Sequence, residues 1–252
     1  MPEWEIHRAL VIGLLATSVV VLVSLLFLTA PYGRHLRQGW GPTLPAHWAW
    51  VAMETPSVLV FAAVYFWGDN AWQLTALILL GLWQLHYLSR TFVYPFRLRN
   101  RSQRMPLIIA AMAFLFTCVN SYVNARWLTH FGEYPDSWIK SPAFIIGAVL
   151  FLLGFIINQH ADRVLLNLRK PGDTRYYIPT GGLYRFISCP NYFGEILTWI
   201  GWAIAVWSMA GLAFAVFTIA NLLPRALSNH RWYREQFDNY PVDRKAIIPK
   251  LL

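Results

Sequence analysis

The stretch 143–169, AFIIGAVLFLLGFIINQHADRVLLNLR, opens with fifteen residues carrying no charge or amide and then turns polar, with no proline anywhere in it. A segment of that character reads as a helix leaving a bilayer. Asn158, Asp162 and Arg169 then follow at helical spacing, within roughly 40° of one another at about 100° per residue. A charge-bearing stripe at a membrane edge is costly and points to a site. An amphipathic helix end meeting headgroups is the other explanation, and it accounts equally for Arg163 and Asn167.

The rest of the chain fits the same solvent. It is 57% hydrophobic and 13% charged, with a positive mean hydropathy, a composition that belongs in a membrane. Apolar stretches near the roughly 20 residues needed to cross one are read at 9–30, 46–67, 71–89, 106–128, 143–158, 191–208 and 209–227. The expected fold is therefore all-α: an integral membrane protein of seven transmembrane helices forming one domain over residues 1–252. The first span, with Glu3 and Glu5 in its leader and Pro31 after it, is expected to stay as a helix and not to be removed as a signal peptide.

With seven spans the termini lie on opposite sides, and the basic residues separate accordingly. Of 21 Lys and Arg, only Arg8, Arg126 and Lys140 fall on the N-terminal side; the other 18 lie within 34–37, 90–104, 163–185 and 225–250. By the positive-inside rule the N-terminus is non-cytosolic and the C-terminus cytosolic. The net charge of +9 follows from that topology and from anionic lipid, and no nucleic-acid motif accompanies it. Cys118 and Cys189 lack CxxC spacing and no histidines form an HxxxH pair, so neither a disulfide nor a metal site is expected.

Polar chemistry concentrates at the cytosolic end. Arg169-Lys170-Pro171-Gly172 reads as a helix stop, residues 176–182 as an aromatic and glycine-rich connector, and Ser188-Cys189-Pro190-Asn191 as a helix start with Ser188 able to cap. Glu195 lies one turn past Asn191, where an ionised carboxylate must find a donor or a cation. Arg225, Asn229 and Tyr233 recur every four residues along one stripe of the last helix. They are available either to a ligand or to a salt bridge joining helices six and seven. Deeper still, Glu54 is roughly 12 Å from the cytosolic end of helix two at about 1.5 Å per residue. A carboxyl so placed favours the neutral form that donates a hydrogen bond. Tyr87, near the end of helix three, leans back toward the same depth. Two such donors converging in an apolar pocket suit a carbonyl, such as that of an enone.

Several stretches together resemble the steroid 5α-reductases: Asn158-Gln159-His160-Ala161-Asp162, Leu168-Arg169-Lys170-Pro171-Gly172, Ile178-Pro179-Thr180-Gly181-Gly182-Leu183, Asn191-Tyr192-Phe193-Gly194-Glu195-Ile196, and Tyr240-Pro241 with Arg244-Lys245-Ala246-Ile247-Ile248-Pro249. Upstream, Tyr32-Gly33-Arg34, Glu54-Thr55-Pro56-Ser57, His86-Tyr87 and Arg90-Thr91-Phe92-Val93-Tyr94 extend the likeness over nearly the whole chain. The resemblance implies NADPH-dependent reduction of a Δ4-3-ketosteroid, with the cofactor entering from the cytosolic side. It assigns Asn158, Asp162, Arg169, Asn191, Glu195, Arg225, Asn229 and Tyr233 to NADPH. Glu54 and Tyr87 are assigned as catalytic donors to the 3-keto oxygen, and Met53, Glu54 and Tyr87 to the substrate.

Two positions depart from the pattern: Met53 stands where steroid-reducing members have glutamine, and Asn229 where they often have histidine. The first leaves room for another substrate. A trans-2-enoyl-CoA reductase is the nearest alternative, toward which Ser188-Cys189-Pro190-Asn191-Tyr192 leans. A polyprenol reductase or a membrane methyltransferase is more distant. A seven-helix receptor or transporter would share the topology but should place its polar groups at the outer face or midplane. The expected location is the endoplasmic reticulum of a eukaryote or the inner membrane of a bacterium.

Overall fold

In lipid, a backbone must satisfy its own hydrogen bonds, and a chain this apolar does so as helices. The computed structural model describes residues 1–98, 102–170 and 173–252. Its seven main helices are α1 (Glu3–Phe27), α2 (Ala46–Phe66), α3 (Leu74–Leu88), α4 (Leu107–Arg126), α5 (Pro142–Asn167), α6 (Pro190–Val206) and α7 (Met209–Gln236). A π-helical turn at Ser89–Val93 and a helical turn at Tyr94–Arg97 prolong α3. Five helices are long and apolar enough to cross a membrane; α3 and α6, at 15 and 17 residues, are shorter.

Several boundaries differ from the sequence expectation. Helix α1 starts six residues earlier than expected, and α5 and α7 each run nine residues past the end of their apolar segments. Neither 159–167 nor 228–236 contains proline or glycine, so the hydrogen-bond ladder continues after hydropathy has fallen. The expected stop at Pro171 and Gly172 lies outside the described residues. Ser188 does not cap α6; its hydroxyl meets His230 Nδ1 and the Tyr240 hydroxyl, each at 2.6 Å, and Pro190 occupies the first turn as expected. An all-α reading also had no place for the short antiparallel ribbon of β1 (Thr43–Pro45) and β2 (Arg104–Pro106). Three-residue strands are too brief to leave a period in the sequence.

That ribbon leads directly into α2 and α4, so both leave the same end of the bundle in the same direction. At this end His35 meets Asn229, Arg34 meets Tyr233, and Ile187 bridges Lys245 in the C-terminal tail. At the opposite end the Glu3 carboxylate accepts two hydrogen bonds from Arg126, both 2.7 Å, and Tyr134 donates to Val206 O. The first, third and fifth connections therefore share one end with the C-terminal tail, and the N-terminus lies at the other. Of the 18 basic residues expected together, Arg99 and Arg101 lie outside the described residues.

Two kinds of contact hold the bundle. An aromatic core joins α2, α3, α6 and α7, with Phe61 stacked on Trp83 at 4.2 Å and Trp199 against both Trp83 and Phe214. The indoles are satisfied: Trp83 donates to Ser57 O and Trp202 to Asn124 Oδ1. Between α5 and α6, glycines spaced seven apart face each other, Gly147 against Gly201 and Gly154 against Gly194. A methyl group on Gly154 would stand 2.6 Å from Gly194 O, and one on Gly201 2.6 Å from Gly147 O. Gly154→Ala or Gly201→Ala is expected to lower the stability of the detergent-solubilised protein by about 1–3 kcal/mol. Gly81→Ala, where the added methyl meets nothing within 4 Å, should show no loss; thermal unfolding of the three variants side by side checks the difference.

Candidate active site

The glycine contact sets the geometry of the site. With α5 and α6 backbones this close, the polar residues that flank the Gly154–Gly194 contact interlock. Asn158 donates through Nδ2 to Asn191 O at 3.0 Å and to Glu195 Oε2 at 2.9 Å, while Asn191 donates to Asp162 Oδ1 at 3.2 Å. Four residues expected from two separate helices thus form one network.

Helix α3 completes it from the other side. His86 Nε2 lies 3.1 Å from Glu195 Oε1, which also accepts from Trp199 Nε1 at 3.0 Å. Arg90 donates to Asp162 Oδ2 at 3.1 Å and has its guanidinium over the Trp50 and Tyr94 rings. Arg90 sits in the π-helical turn, a feature frequent at functional sites. The salt bridge weighed between helices six and seven is not formed: the partners of Glu195 come from α3, α5 and α6, and Arg225 donates instead to Tyr192 OH at 3.1 Å.

A second tier lies toward the bundle end. Arg225 and Asn229 on α7 both approach Tyr192 OH, and the Arg225 guanidinium lies 4.5 Å from the Tyr32 ring centre. His35 Nε2 lies 3.1 Å from Asn229 Oδ1. Burial, followed by neighbouring arginines, holds the His35 imidazole below its ordinary value despite the Asn229 hydrogen bond. The positive charge here therefore comes from guanidinium groups. Arg34 donates to Tyr233 OH at 3.2 Å and lies over Tyr176, Trp232 and Tyr233, while Arg169 also lies over Tyr176, at 4.2 Å. Cys189, beside Asn229, is buried, and burial pushes its thiol up to about 11.

The two tiers differ in electrostatics. In the deeper one, two carboxylates are matched by Arg90 and His86. In the outer one, no carboxylate pairs with Arg34, Arg169 or Arg225 among the described residues. Unpaired guanidinium groups gathered on aromatic faces form a site for anions, phosphate above all. Among the buried side-chain atoms without a protein partner are Arg34 NH1, a donor, and Asn158 Oδ1, an acceptor. These suit a ligand that carries both phosphates and an amide.

Glu54 on α2 is within electrostatic reach of Arg90 and Glu195, and Tyr87 of Glu54. Tyr87 is buried against Trp83, His86 and Trp199. No hydrogen bond joins Glu54 to Tyr87 among the described residues. Met53 packs with Ala49, Met105 and Ala110 between α2 and α4. Sequence reasoning did not assign Tyr32, Arg34, His35, His86, Arg90, Tyr176 or Tyr192 to the site, although Tyr32, Arg34, His86, Arg90 and Tyr192 stand within the motifs quoted for the resemblance.

The fold and the site together define a multi-pass helical membrane protein with a polar, cation-rich cluster of side chains toward one end of the bundle. Residues 103–252 match the model of a family described as 3-oxo-5-alpha-steroid 4-dehydrogenase. The chain is 44% identical over 232 residues to the steroid 5-alpha-reductase DET2 of Gossypium hirsutum, covering 90% of each. It is 44% identical over 241 residues to the 3-oxo-5-alpha-steroid 4-dehydrogenase 1 of Bos taurus, covering 94% of this chain and 93% of that one. A human protein of the latter name is 44% identical over 223 residues, 87% of this chain and 85% of its own. The chain belongs to the 3-oxo-5-alpha-steroid 4-dehydrogenase family, and it is an oxidoreductase.

The Arg90–Asp162 pair is nearly buried, with side chains 15% and 6% exposed. Arg90→Met or Asp162→Leu alone leaves one charge uncompensated and is expected to cost about 3 kcal/mol, whereas the double variant should recover much of that. Unfolding of all three in one detergent measures the coupling.

Proposed function

We propose that this protein reduces the C4–C5 double bond of a Δ4-3-ketosteroid to the 5α-dihydrosteroid with NADPH. The observation that carries the reading is the unpaired guanidinium cluster of Arg34, Arg169 and Arg225 standing directly outside the Asn158–Glu195 network. The family membership and the relatives' names support the substrate class.

In this reading the three arginines hold the cofactor's phosphates, with Tyr192, Asn229 and Tyr233 fixing their orientation. Asn158, Asp162, Asn191 and Glu195 take the ribose and nicotinamide; Asn158 Oδ1 accepts from the carboxamide. When bound, NADPH supplies the hydride, which is delivered to C5. Glu54 and Tyr87 donate hydrogen bonds to the 3-keto oxygen, drawing electron density from C5 before transfer and stabilising the enolate oxygen after it. A proton then adds at C4, so one C=C bond is lost and two C–H bonds are gained. The aromatic core beneath the site excludes water from it. Met53, the neighbour of Glu54 in the chain, offers apolar surface and no additional donor, which shifts recognition toward the shape of the substrate.

The excess of basic residues at the site's end of the bundle supports a cytosolic orientation for that end. The membrane is then the endoplasmic reticulum in a eukaryote or the inner membrane in a bacterium.

NADPH oxidation by purified protein with progesterone, testosterone and a trans-2-enoyl-CoA in parallel, with products identified by mass spectrometry, tests the proposal. A saturated 5α-steroid supports it; turnover of the thioester alone moves the assignment to an enoyl reductase. Glu54→Gln and Tyr87→Phe are each expected to lower kcat roughly 100-fold while NADPH affinity is kept. Arg225→Ala should instead weaken NADPH binding on the order of tenfold or more. Equal loss of NADPH binding in all three variants would refute this division of roles.

A further inference from the structure

A cavity of about 220 Å³ lies on the outside of the same bundle end, lined by Arg97, Arg163, Leu166 and Asn167. It is separate from the active-site network: Asp162, one residue before Arg163, turns inward to Arg90, so its charge is used there. Arg97 and Arg163 bring two permanent cations to one concave surface, and no carboxylate is among the described lining residues.

The surroundings of the two arginines identify the medium they face. Arg163 lies about 180° round α5 from the face that Gly154 packs against α6 and heads a stripe that descends through exposed Ile156 and Val149 at intervals of seven. Beside Arg97 lie exposed Phe92, Val93 and Phe96. Apolar side chains left open on a membrane-spanning bundle face acyl chains. The cavity thus sits where acyl-facing surface gives way to guanidinium groups, at the depth of headgroups, and guanidinium forks match phosphate oxygens.

We propose that this cavity binds the phosphate of an anionic phospholipid, with the acyl chains lying along the Val149–Ile156 stripe. Phosphate is the chemistry recognised, and continuity with the acyl-facing surface favours lipid over free phosphate as its source. Juxtamembrane arginines contribute attraction of the kind that anionic leaflets select for.

Full-length protein in detergent is titrated with phosphatidylglycerol, phosphatidylcholine and inorganic phosphate, with binding read by native mass spectrometry and by the shift in Tm. The expected result is preferential binding of phosphatidylglycerol, weakened on the order of tenfold in the Arg97→Gln/Arg163→Gln double variant and unchanged in Arg234→Gln, an exposed arginine away from the cavity. Both single variants, at exposed positions, should show smaller losses in the same direction, which keeps the test decisive if the double variant fails to fold. Equal phosphatidylglycerol binding by the wild type and the variants overturns the proposal. So does arginine-dependent binding of inorganic phosphate as tight as that of the lipid, which would make the site one for a free anion. Neither readout depends on steroid or NADPH turnover.

Discussion

The close approach of α5 to α6 is the constraint on which the site rests. Gly147, Gly154, Gly194 and Gly201 remove the side chains that would otherwise hold the two backbones apart. In a bilayer there is no hydrophobic gain in bringing helices together, so such contacts depend on packing and on polar links between helices. Here both occur along one seam. The glycines bring the helices within van der Waals distance, and at the end of the seam Asn158, Asp162, Asn191 and Glu195 replace close packing with hydrogen bonds.

From that seam outward, the charges are arranged by depth. In the deeper tier Glu195 and Asp162 have designated partners in His86 and Arg90, because an isolated charge in a low-dielectric interior is costly. Toward the end, arginines are left without carboxylates and are supported by aromatic faces. Tyr32, Tyr176, Tyr192, Trp232 and Tyr233 carry Arg34, Arg169 and Arg225. A guanidinium held this way keeps its donors available, which an ion pair would not allow. The same bundle end can therefore be structurally settled and still present positive charge.

The residues that sequence reasoning found are those on regular helices, because a period of 3.6 residues states which side chains share a face. Asn158 and Asp162, Asn191 and Glu195, and Arg225, Asn229 and Tyr233 were legible for this reason. Arg34, His35 and Tyr32 were not, since they lie in an irregular connection whose path depends on the helix ends beneath it. Arg90 escaped for a different reason. The π-helical turn at Ser89–Val93 widens the helix by one residue and shifts every side chain after it, so extrapolating the face of α3 misplaces it. Hydropathy located the helices but misjudged the ends of α5 and α7, where polar residues remain helical because nothing breaks the ladder.

The clasp between Glu3 and Arg126 also bears on how the protein is made. Helix α1 packs against α7, which leaves the ribosome after the five helices between them, as well as against α4. Helix α1 must therefore wait in lipid for its principal neighbour. Its composition permits this: α1 is the most apolar of the candidate spans, and its Thr17 and Ser18 hydroxyls donate to carbonyls one turn back in the same helix. Glu3 gains its arginine once α4 has been threaded, which fixes one end of α1 before the partner along its length exists. The ion pair then acts as a mooring during biogenesis, holding a strongly apolar helix in register until α7 docks along it.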